Sequence, residues 1–215
     1  MSTQNRPIYS SQEIVDFYSG HLKEFGDSSK GVGWKNDEAQ MVRFMQLAIV
    51  FQKKEKFSVN DFGCGTGEFY KFLLTQNCRE MVYNGYDLLI EMIDAAKKKI
   101  GLYQNVNLSM IESPHDLSVA DYSVASGVFN IKYEASNSEW LKHILATLDI
   151  IYSKSRLGFS FNLLTTYSDK EYIQPYLYYA DPLFIFDYCK KNYSKNVALL
   201  HDYGQHDFTI IVRKV

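Results

Sequence analysis

The stretch VNDFGCGTGEF, residues 59–69, changes character half-way along its length. It begins as a β-prone run, passes through glycines at positions 63, 65 and 67, and continues as a helix-forming sequence. Glycine has no Cβ and tolerates positive φ, so a strand can turn sharply here and leave bare backbone N–H groups at a helix N-terminus, where a ligand can bind. The stretch therefore predicts a strand, turn and helix that together hold a cofactor.

The spacing of these glycines disfavours a dinucleotide. The dinucleotide fingerprint G-x-G-x-x-G needs a third glycine three positions after the second, and Glu68 stands there. Asp61, two residues before the first glycine, would repel a pyrophosphate. The chain also lacks a Tyr-x-x-x-Lys catalytic pair. A nicotinamide-dependent reductase is therefore the less favoured alternative.

A second acid follows at an informative distance. Asp87 ends a β-prone run over 81–87 and lies 20 residues after Gly67. In open parallel sheets of this kind, an acid at the end of the second strand accepts hydrogen bonds from the ribose hydroxyls of an adenosine. Asp87 could instead cap the helix that follows, and the two roles are compatible.

Composition restricts the partners and the compartment. The chain has 215 residues, 23 basic and 25 acidic, and a net charge of −2, so a nucleic-acid groove is not indicated. Cys64, Cys78 and Cys189 form an odd set without C-x-x-C spacing, which argues against a disulfide framework or a structural zinc. No apolar run reaches membrane-spanning length. We expect a cytoplasmic protein without a membrane partner.

Periodicity predicts alternating helices and strands. Helical spacing covers 11–25, a second segment from position 36 or 37 to about 51, and the segments 88–99 and 137–154, with further helices after Gly67 and Asp181. The β runs lie near 57–62, 81–87, 105–112, 121–129 and 157–163. Two last runs, 197–201 and 208–212, are too close for a helical crossover and should form an antiparallel hairpin.

The motif Asp-x-Gly-x-Gly-x-Gly, starting at Asp61, resembles motif I of the class I S-adenosylmethionine-dependent methyltransferases. Gly85-Tyr86-Asp87, followed by Glu91-Met92 and the run 95–97, resembles the second signature of that family. The resemblance covers roughly residues 57–215. It implies a single α/β domain over 1–215, with a Rossmann-like, seven-stranded, mostly parallel sheet, helices on both faces and an antiparallel C-terminal hairpin. Residues 1–55 would form an N-terminal helical cap segment.

The resemblance also implies a cofactor, S-adenosyl-L-methionine, and a set of residues around it. Asp61 would hold the amino group of the methionine moiety, Asp87 the ribose, and Ile111 with Glu112 the adenine, while backbone after the fourth strand would line the methyl-transfer zone. The glycine-rich loop 26–34 would fold over the cofactor mouth, unless Trp34 simply plugs the edge of the core. The predicted cofactor-binding residues are Asp61, Gly63, Cys64, Gly65, Gly67, Phe69, Asp87, Leu88, Ile111, Glu112, Ser126 and Gly127.

The segment 165–179 carries five tyrosines in thirteen positions, 167–179. It could wall a pocket for a small organic acceptor, or serve packing or a possible homodimer contact. The turn at 126–129 lacks the Asn/Asp-Pro-Pro-Tyr/Phe loop of adenine and glutamine methyltransferases, and no Pro-Cys pair is present. The histidines do not cluster with carboxylates on one face, so no metal site is predicted. We therefore expect O- or N-methylation of a small molecule, with a non-catalytic S-adenosylmethionine-binding module as an alternative.

Catalysis by such a protein needs positioning more than covalent chemistry. The methyl group would pass directly, in line, to an acceptor atom that must lose a proton. The candidate bases are His201 and His206 in the terminal hairpin, with Tyr167 as a third.

Overall fold

A computed structural model describes residues 12–52 and 56–214, so the predicted cap segment 1–55 is seen only in part. The helices are α1 Gln12–Phe25, α2 Asp37–Ala48, α3 Glu68–Thr75, α4 Ile90–Ile100, α5 Asn137–Lys154 and α6 Pro182–Asn192. The strands are β1 Ser58–Phe62, β2 Val82–Asp87, β3 Val106–Met110, β4 Ala120–Ala125, β5 Ser155–Thr165, β6 Tyr179–Ala180, β7 Asn196–Leu200 and β8 Asp207–Arg213. The predicted α/β class is confirmed.

The sheet has the order β3-β2-β1-β4-β5-β8-β7. Strands β1 to β5 are parallel, and β8 runs antiparallel to both β5 and β7, as predicted for the terminal hairpin. An eighth strand was not predicted: the two-residue β6, within the tyrosine-rich segment, pairs with the end of β5. The carboxyl ends of β1, β2, β4 and β5 therefore share one edge, where ligands bind in open parallel sheets.

Alternation along the central strands divides the core between two faces. In β5, Phe159, Phe161 and Leu163 belong to the cluster that contains Trp140 of α5 and Ile185 of α6. The intervening Ser160 points the other way and donates its hydroxyl to the Leu47 carbonyl of α2. Because side chains of a strand alternate between faces, α5 and α6 cover one face while α2 and α3 cover the other.

Local sequence signals explain where the helices near the carboxyl edge begin. Ser136 and Glu139 form a reciprocal capping box at the start of α5. Asp181 accepts hydrogen bonds from the Leu183 and Phe184 amides, and Pro182 takes the first position of α6. Gly67, at φ +83°, precedes α3 in the left-handed region that favours glycine. Across the described ranges, no helix is both long and apolar enough to cross a bilayer.

Candidate active site

A cavity of about 430 Å³ opens at the carboxyl edge of the sheet. Its walls come from α1, α2, the turns after β1, β2 and β4, and the tyrosine-rich segment. The lining includes Tyr18, Trp34, Arg43, Asp61, Gly65, Asp87, Ile111, Ser126, Asn130, Tyr176 and His206. The glycine turn and the tyrosine-rich segment therefore face the same space.

The glycine turn after β1 is held by backbone hydrogen bonds and by tight packing. The Gly63 and Cys64 amides donate to the Tyr86 carbonyl oxygen, at 2.8 and 2.9 Å. Gly65 has φ +52°, and a Cβ added there would lie 2.9 Å from a methyl group of Val32. A side chain at position 65 would thus strain the backbone and displace the segment that covers the turn.

The third glycine of the motif serves the scaffold. A Cβ on Gly67 would lie 2.6 Å from Cδ1 of Ile100, so the missing side chain lets α3 approach the end of α4. Gly67 does not line the cavity. Its predicted role in cofactor binding would therefore have to be indirect.

Asp87 is already engaged by the turn. Its Oδ2 accepts from the Gly65 amide at 2.9 Å, and its Oδ1 accepts from the Leu89 amide at 3.0 Å. Burial raises the pKa of this carboxyl, and the backbone hydrogen bonds act in the opposite direction. The Leu88 amide also interacts with this carboxyl, and because each carboxylate oxygen has two lone pairs, acceptor capacity remains for at least one hydrogen bond from a ligand. The predicted capping and ribose roles are thus geometrically compatible.

Asp61 is a buried acid beside the cavity. It is 1 % exposed and accepts a hydrogen bond from the Tyr83 hydroxyl. Burial raises its pKa to about 7, the Tyr83 hydrogen bond opposes this rise, and the charge of Asp87 adds to it. Within residues 12–52 and 56–214, Asp61 forms no ion pair. An ammonium group in the cavity would supply the missing counter-charge.

The turn after β4 presents polar atoms without protein partners. The Ser126 Oγ and Asn130 Oδ1 atoms are buried, line the cavity and make no hydrogen bond within the described part of the chain. Buried polar groups are nearly always paired, so both atoms are available to a ligand or to an ordered water in the cavity. Gly127 lies between them at φ +72°, and a Cβ there would come within 2.7 Å of the Trp34 ring. The loop carrying Trp34 therefore packs over this turn.

A buried polar network that the sequence analysis missed supports the same turn. The Gly127 amide donates to Asn162 Oδ1 at 2.8 Å, and Asn162 Nδ2 donates to Asp207 Oδ2 at 2.7 Å. Arg43 Nε donates to the same Asp207 oxygen at 2.6 Å. The Arg43 guanidinium lies 4.5 Å from the centroid of the Trp34 ring. The helical spacing of α2 marked an apolar face, and no local signal singled out Arg43 on that helix.

The predicted site residues do not all reach the cavity. Ten of the cofactor residues line it, and Gly67 and Glu112 lie outside the lining. Of the three candidate bases, His206 lines the cavity beside Tyr172, with 5.1 Å between ring centroids. Tyr167 is 69 % exposed and His201 lies next to it, with 5.9 Å between ring centroids, and neither belongs to the lining. The ten are Asp61, Gly63, Cys64, Gly65, Phe69, Asp87, Leu88, Ile111, Ser126 and Gly127.

The tyrosine-rich segment also contributes to the cavity lining. Tyr172, Tyr176 and Tyr179 line it, and Tyr178 is buried in the core. The Tyr176 carbonyl oxygen accepts from two consecutive amides, 132 and 133, at 3.0 and 3.1 Å. The segment is thus attached to the chain that follows β4. Within the described ranges, no group of three or more His, Cys, Asp or Glu side chains has metal-binding geometry.

Comparison with known proteins places this cavity in context. No family model matches the chain. A Mycobacterium tuberculosis protein with the name "Putative methyltransferase Rv1506c" is 47% identical over 160 residues, which cover 74% of this chain and 95% of that protein. This identity over nearly the whole relative is enough to assign the family.

Solved structures share the fold at low sequence identity. A DhpI–SAH complex has a TM-score of 0.65 at 13% identity, with 98% of each chain covered. The magnesium protoporphyrin IX methyltransferase of Synechocystis PCC 6803, with bound SAH, has a TM-score of 0.63 at 13% identity and the same coverage. The human N-acetylserotonin methyltransferase complex with SAM has a TM-score of 0.57 at 14% identity, covering 82% of this chain, which spans 54% of that protein.

The relative and the fold agree with the two signatures at Asp61 and Asp87. The cavity that these acids border lies where open parallel sheets bind nucleosides. The chain belongs to the class I S-adenosylmethionine-dependent methyltransferases.

Proposed function

We propose that this chain binds S-adenosylmethionine and methylates a hydroxyl or amino group of a small organic acceptor. The observation that carries the proposal is that the glycine turn and the tyrosine-rich segment line the same cavity. Its volume of about 430 Å³ falls in the range typical of small-molecule sites.

The residues at the β1–β2 end fit the cofactor's polar groups. Asp87 retains acceptor capacity for a ribose hydroxyl, and Asp61 is a buried acid that forms no ion pair with any residue that the structure describes, which suits it to an ammonium group. The unpaired Ser126 Oγ and Asn130 Oδ1 lie further along the wall and can hydrogen-bond the methionine portion or the acceptor. These roles account for the buried polar atoms at this end of the cavity.

When bound, S-adenosylmethionine supplies an electrophilic methyl group on a sulfonium. The chain's own contribution is to hold the acceptor atom in line and to exclude water, which alone lowers the barrier by several kcal/mol. Tyr176 and Tyr179 contribute ring surface to this wall. His206 is the candidate that would take the acceptor's proton, since it alone of the three predicted bases lines the cavity.

The test begins with ligand binding. Calorimetry should detect S-adenosylhomocysteine binding and no NADH binding, and preference for NADH would favour the reductase alternative. Transfer of a labelled methyl group from S-adenosylmethionine should then be measured against small phenols, hydroxy acids and amines. Binding of S-adenosylhomocysteine without transfer to any hydroxyl, amine or carbon acceptor would favour the non-catalytic module.

Methyltransferases of this fold act on different kinds of acceptor atom. The same assay can therefore be used to identify the atom that is methylated. One solved structure of this fold, with a TM-score of 0.59 and 12% identity, is a carbon methyltransferase named CurJ. Mass spectrometry of the labelled product, with acid and base hydrolysis to separate esters, ethers and amines, identifies the methylated atom. A product methylated on carbon would contradict the proposed O- or N-methylation.

A further inference from the structure

Arg43 lies in the middle of α2 with its side chain 8 % exposed, and it lines the cavity. Its Nε donates to Asp207, and its Nη1 donates to the Ala39 carbonyl oxygen at 2.7 Å. Its Nη2 has no hydrogen-bond partner among the residues that the structure describes. A guanidinium has five N–H donors, so the edge formed by Nη1 and Nη2 retains donors that the protein does not use.

The plane of the guanidinium is set by its surroundings. Asp207 is 1 % exposed and holds the Nε side, while the Trp34 ring lies 4.5 Å from the guanidinium carbon. A guanidinium fixed in this way loses little further freedom when a carboxylate docks end-on to the N–H groups of Nη1 and Nη2. Donors left unpaired in a buried site are unfavourable, so this edge is suited to a ligand acceptor.

Charge is divided between the two ends of the cavity. The lining carboxylates are Asp61 on β1, Asp87 at the end of β2 and Glu68 at the start of α3. The lining basic and imidazole groups are Lys35, Arg43 and His206. Arg43 is bonded to Asp207 on β8, which is three strands from β1, or about 14 Å at the usual strand spacing. An anionic group bound here therefore lies towards β5 and β8, away from Asp87 at the end of β2.

The charge of Asp207 limits which anion fits. It offsets part of the Arg43 charge at 2.6 Å, so the pair can hold one additional negative charge far better than two. A planar carboxylate also matches the flat Nη1–Nη2 edge better than a tetrahedral dianion does. The chemistry favours a monocarboxylate.

We propose that Arg43 binds the carboxylate of the acceptor, so that the substrates are small organic acids whose hydroxyl or amino group receives the methyl. The inference rests on the proposed function. It makes Arg43 a specificity-determining residue, and it assigns the Trp34 ring and the Asp207 carboxylate to holding the guanidinium in place.

The first experiment uses matched pairs of probes on the wild-type chain saturated with S-adenosylhomocysteine. Benzoate and benzamide, phenylacetate and phenylacetamide, and salicylate and salicylamide are titrated by calorimetry at constant ionic strength. The acids should bind about tenfold more tightly than their amides, as expected for a gained charge-assisted interaction. Equal affinity for acid and amide in all three pairs, with S-adenosylhomocysteine bound, would overturn the inference and leave the proposed function standing.

The second experiment assigns the preference to Arg43. Arg43→Lys keeps a charge beside Asp207 but removes the planar edge, and it should abolish the acid preference. Arg156→Lys makes the same change at an exposed arginine, 57 % accessible, and should preserve the preference. An acid preference retained in folded Arg43→Lys overturns the assignment, and if that variant does not fold, the wild-type comparison of acids and amides decides alone.

The third experiment excludes the cofactor as the source of the carboxylate. S-adenosylhomocysteine and its decarboxylated analogue are titrated against the wild type and Arg43→Lys. We expect Arg43→Lys to change the affinity for both ligands by less than about threefold, since the loss of a charge-assisted hydrogen bond would exceed that. A larger loss confined to the ligand that carries the carboxylate would place Arg43 on the cofactor and overturn the inference.

Discussion

The two ends of the cavity are built in different ways. At the β1–β2 end, the glycine turn and Asp87 lie within 25 residues of one another, and the Gly65 amide bonds directly to the Asp87 carboxylate. At the opposite end, Arg43 meets Asp207 across 164 positions and Asn162 meets Asp207 across 45. The first end is specified by local geometry and the second by the assembled sheet. The β1–β2 end can thus be predicted from the sequence, whereas the opposite end becomes apparent only in the folded chain.

The largest expected effect is on ligand affinity at the β1–β2 end of the cavity. Gly65→Val should lower the affinity for S-adenosylhomocysteine by about 100-fold or more, because a Cβ at φ +52° would lie 2.9 Å from Val32 and would force the turn to move. The matched control is Gly204→Val, at φ +68° with no atom within 4 Å of the added Cβ. Calorimetry on both variants checks this. Equal losses of affinity in the two variants would show that the effect comes from backbone strain alone and not from the glycine turn after β1.

The next largest effect is expected on the methylation rate, at the opposite end of the cavity. His206→Gln should reduce the methylation rate about 100-fold with less effect at high pH, where the acceptor ionises without help. His201→Gln, five positions earlier and outside the cavity lining, should retain the rate. The measurement is the initial rate against pH with an identified acceptor. Full activity of His206→Gln at every pH would mean that positioning alone suffices.

Asp87 is expected to contribute both to ligand affinity and to thermal stability. Asp87→Ala should weaken S-adenosylhomocysteine binding by about 1.5 to 3 kcal/mol, the scale for hydrogen bonds to a charged group. It should also lower the melting temperature, because the Gly65 and Leu89 amides lose their acceptor. Asp87→Asn retains one acceptor oxygen and should show smaller changes in both. Unchanged affinity in Asp87→Ala would remove the ribose assignment.

The smallest effect is a dependence on pH at Asp61. With a pKa of about 7 in the free protein, Asp61 is largely protonated below neutrality and cannot pair with the cofactor's ammonium. Affinity for S-adenosylhomocysteine should therefore fall about tenfold from pH 8 to pH 6, with proton release on binding. Asp61→Asn should give a nearly flat profile. Calorimetry in buffers of different ionisation enthalpy measures the released protons, and a flat wild-type profile would contradict the prediction.

The same residue has the opposite effect on folding. Its pKa is raised from 3.8 to about 7, so the folded chain binds more protons than the unfolded chain between these values. The contribution of Asp61 to stability is therefore most favourable below about pH 4 and is lost as the pH rises towards 7. Burial of Asp61 thus makes the folded chain less stable at neutral pH than it would be with an acid of ordinary pKa at this position.

Features that depend on local sequence patterns could be predicted, whereas features that depend on contacts between distant residues could not. The α/β class, the parallel strands and the C-terminal hairpin come from repeating patterns and short connections, and the structure confirms them. The two-residue β6 was missed because its only signal is a pairing with the distant end of β5. Arg43 was missed because α2 shows an apolar stripe, and nothing near it indicates a buried acid on β8. His201 and His206 flank one turn, and only the folded chain shows which of them faces the cavity.

The two amides that share the Tyr176 carbonyl have a kinetic consequence. Together with the bond from the Tyr178 amide to the Asn130 carbonyl oxygen, they connect the wall over 168–179 to the turn over 130–133 at three points. Neither segment can swing outward without breaking these bonds at once. We therefore expect these three bonds to break together when the two segments separate, so that the amides of Lys132, Tyr133 and Tyr178 exchange with deuterium at a common rate.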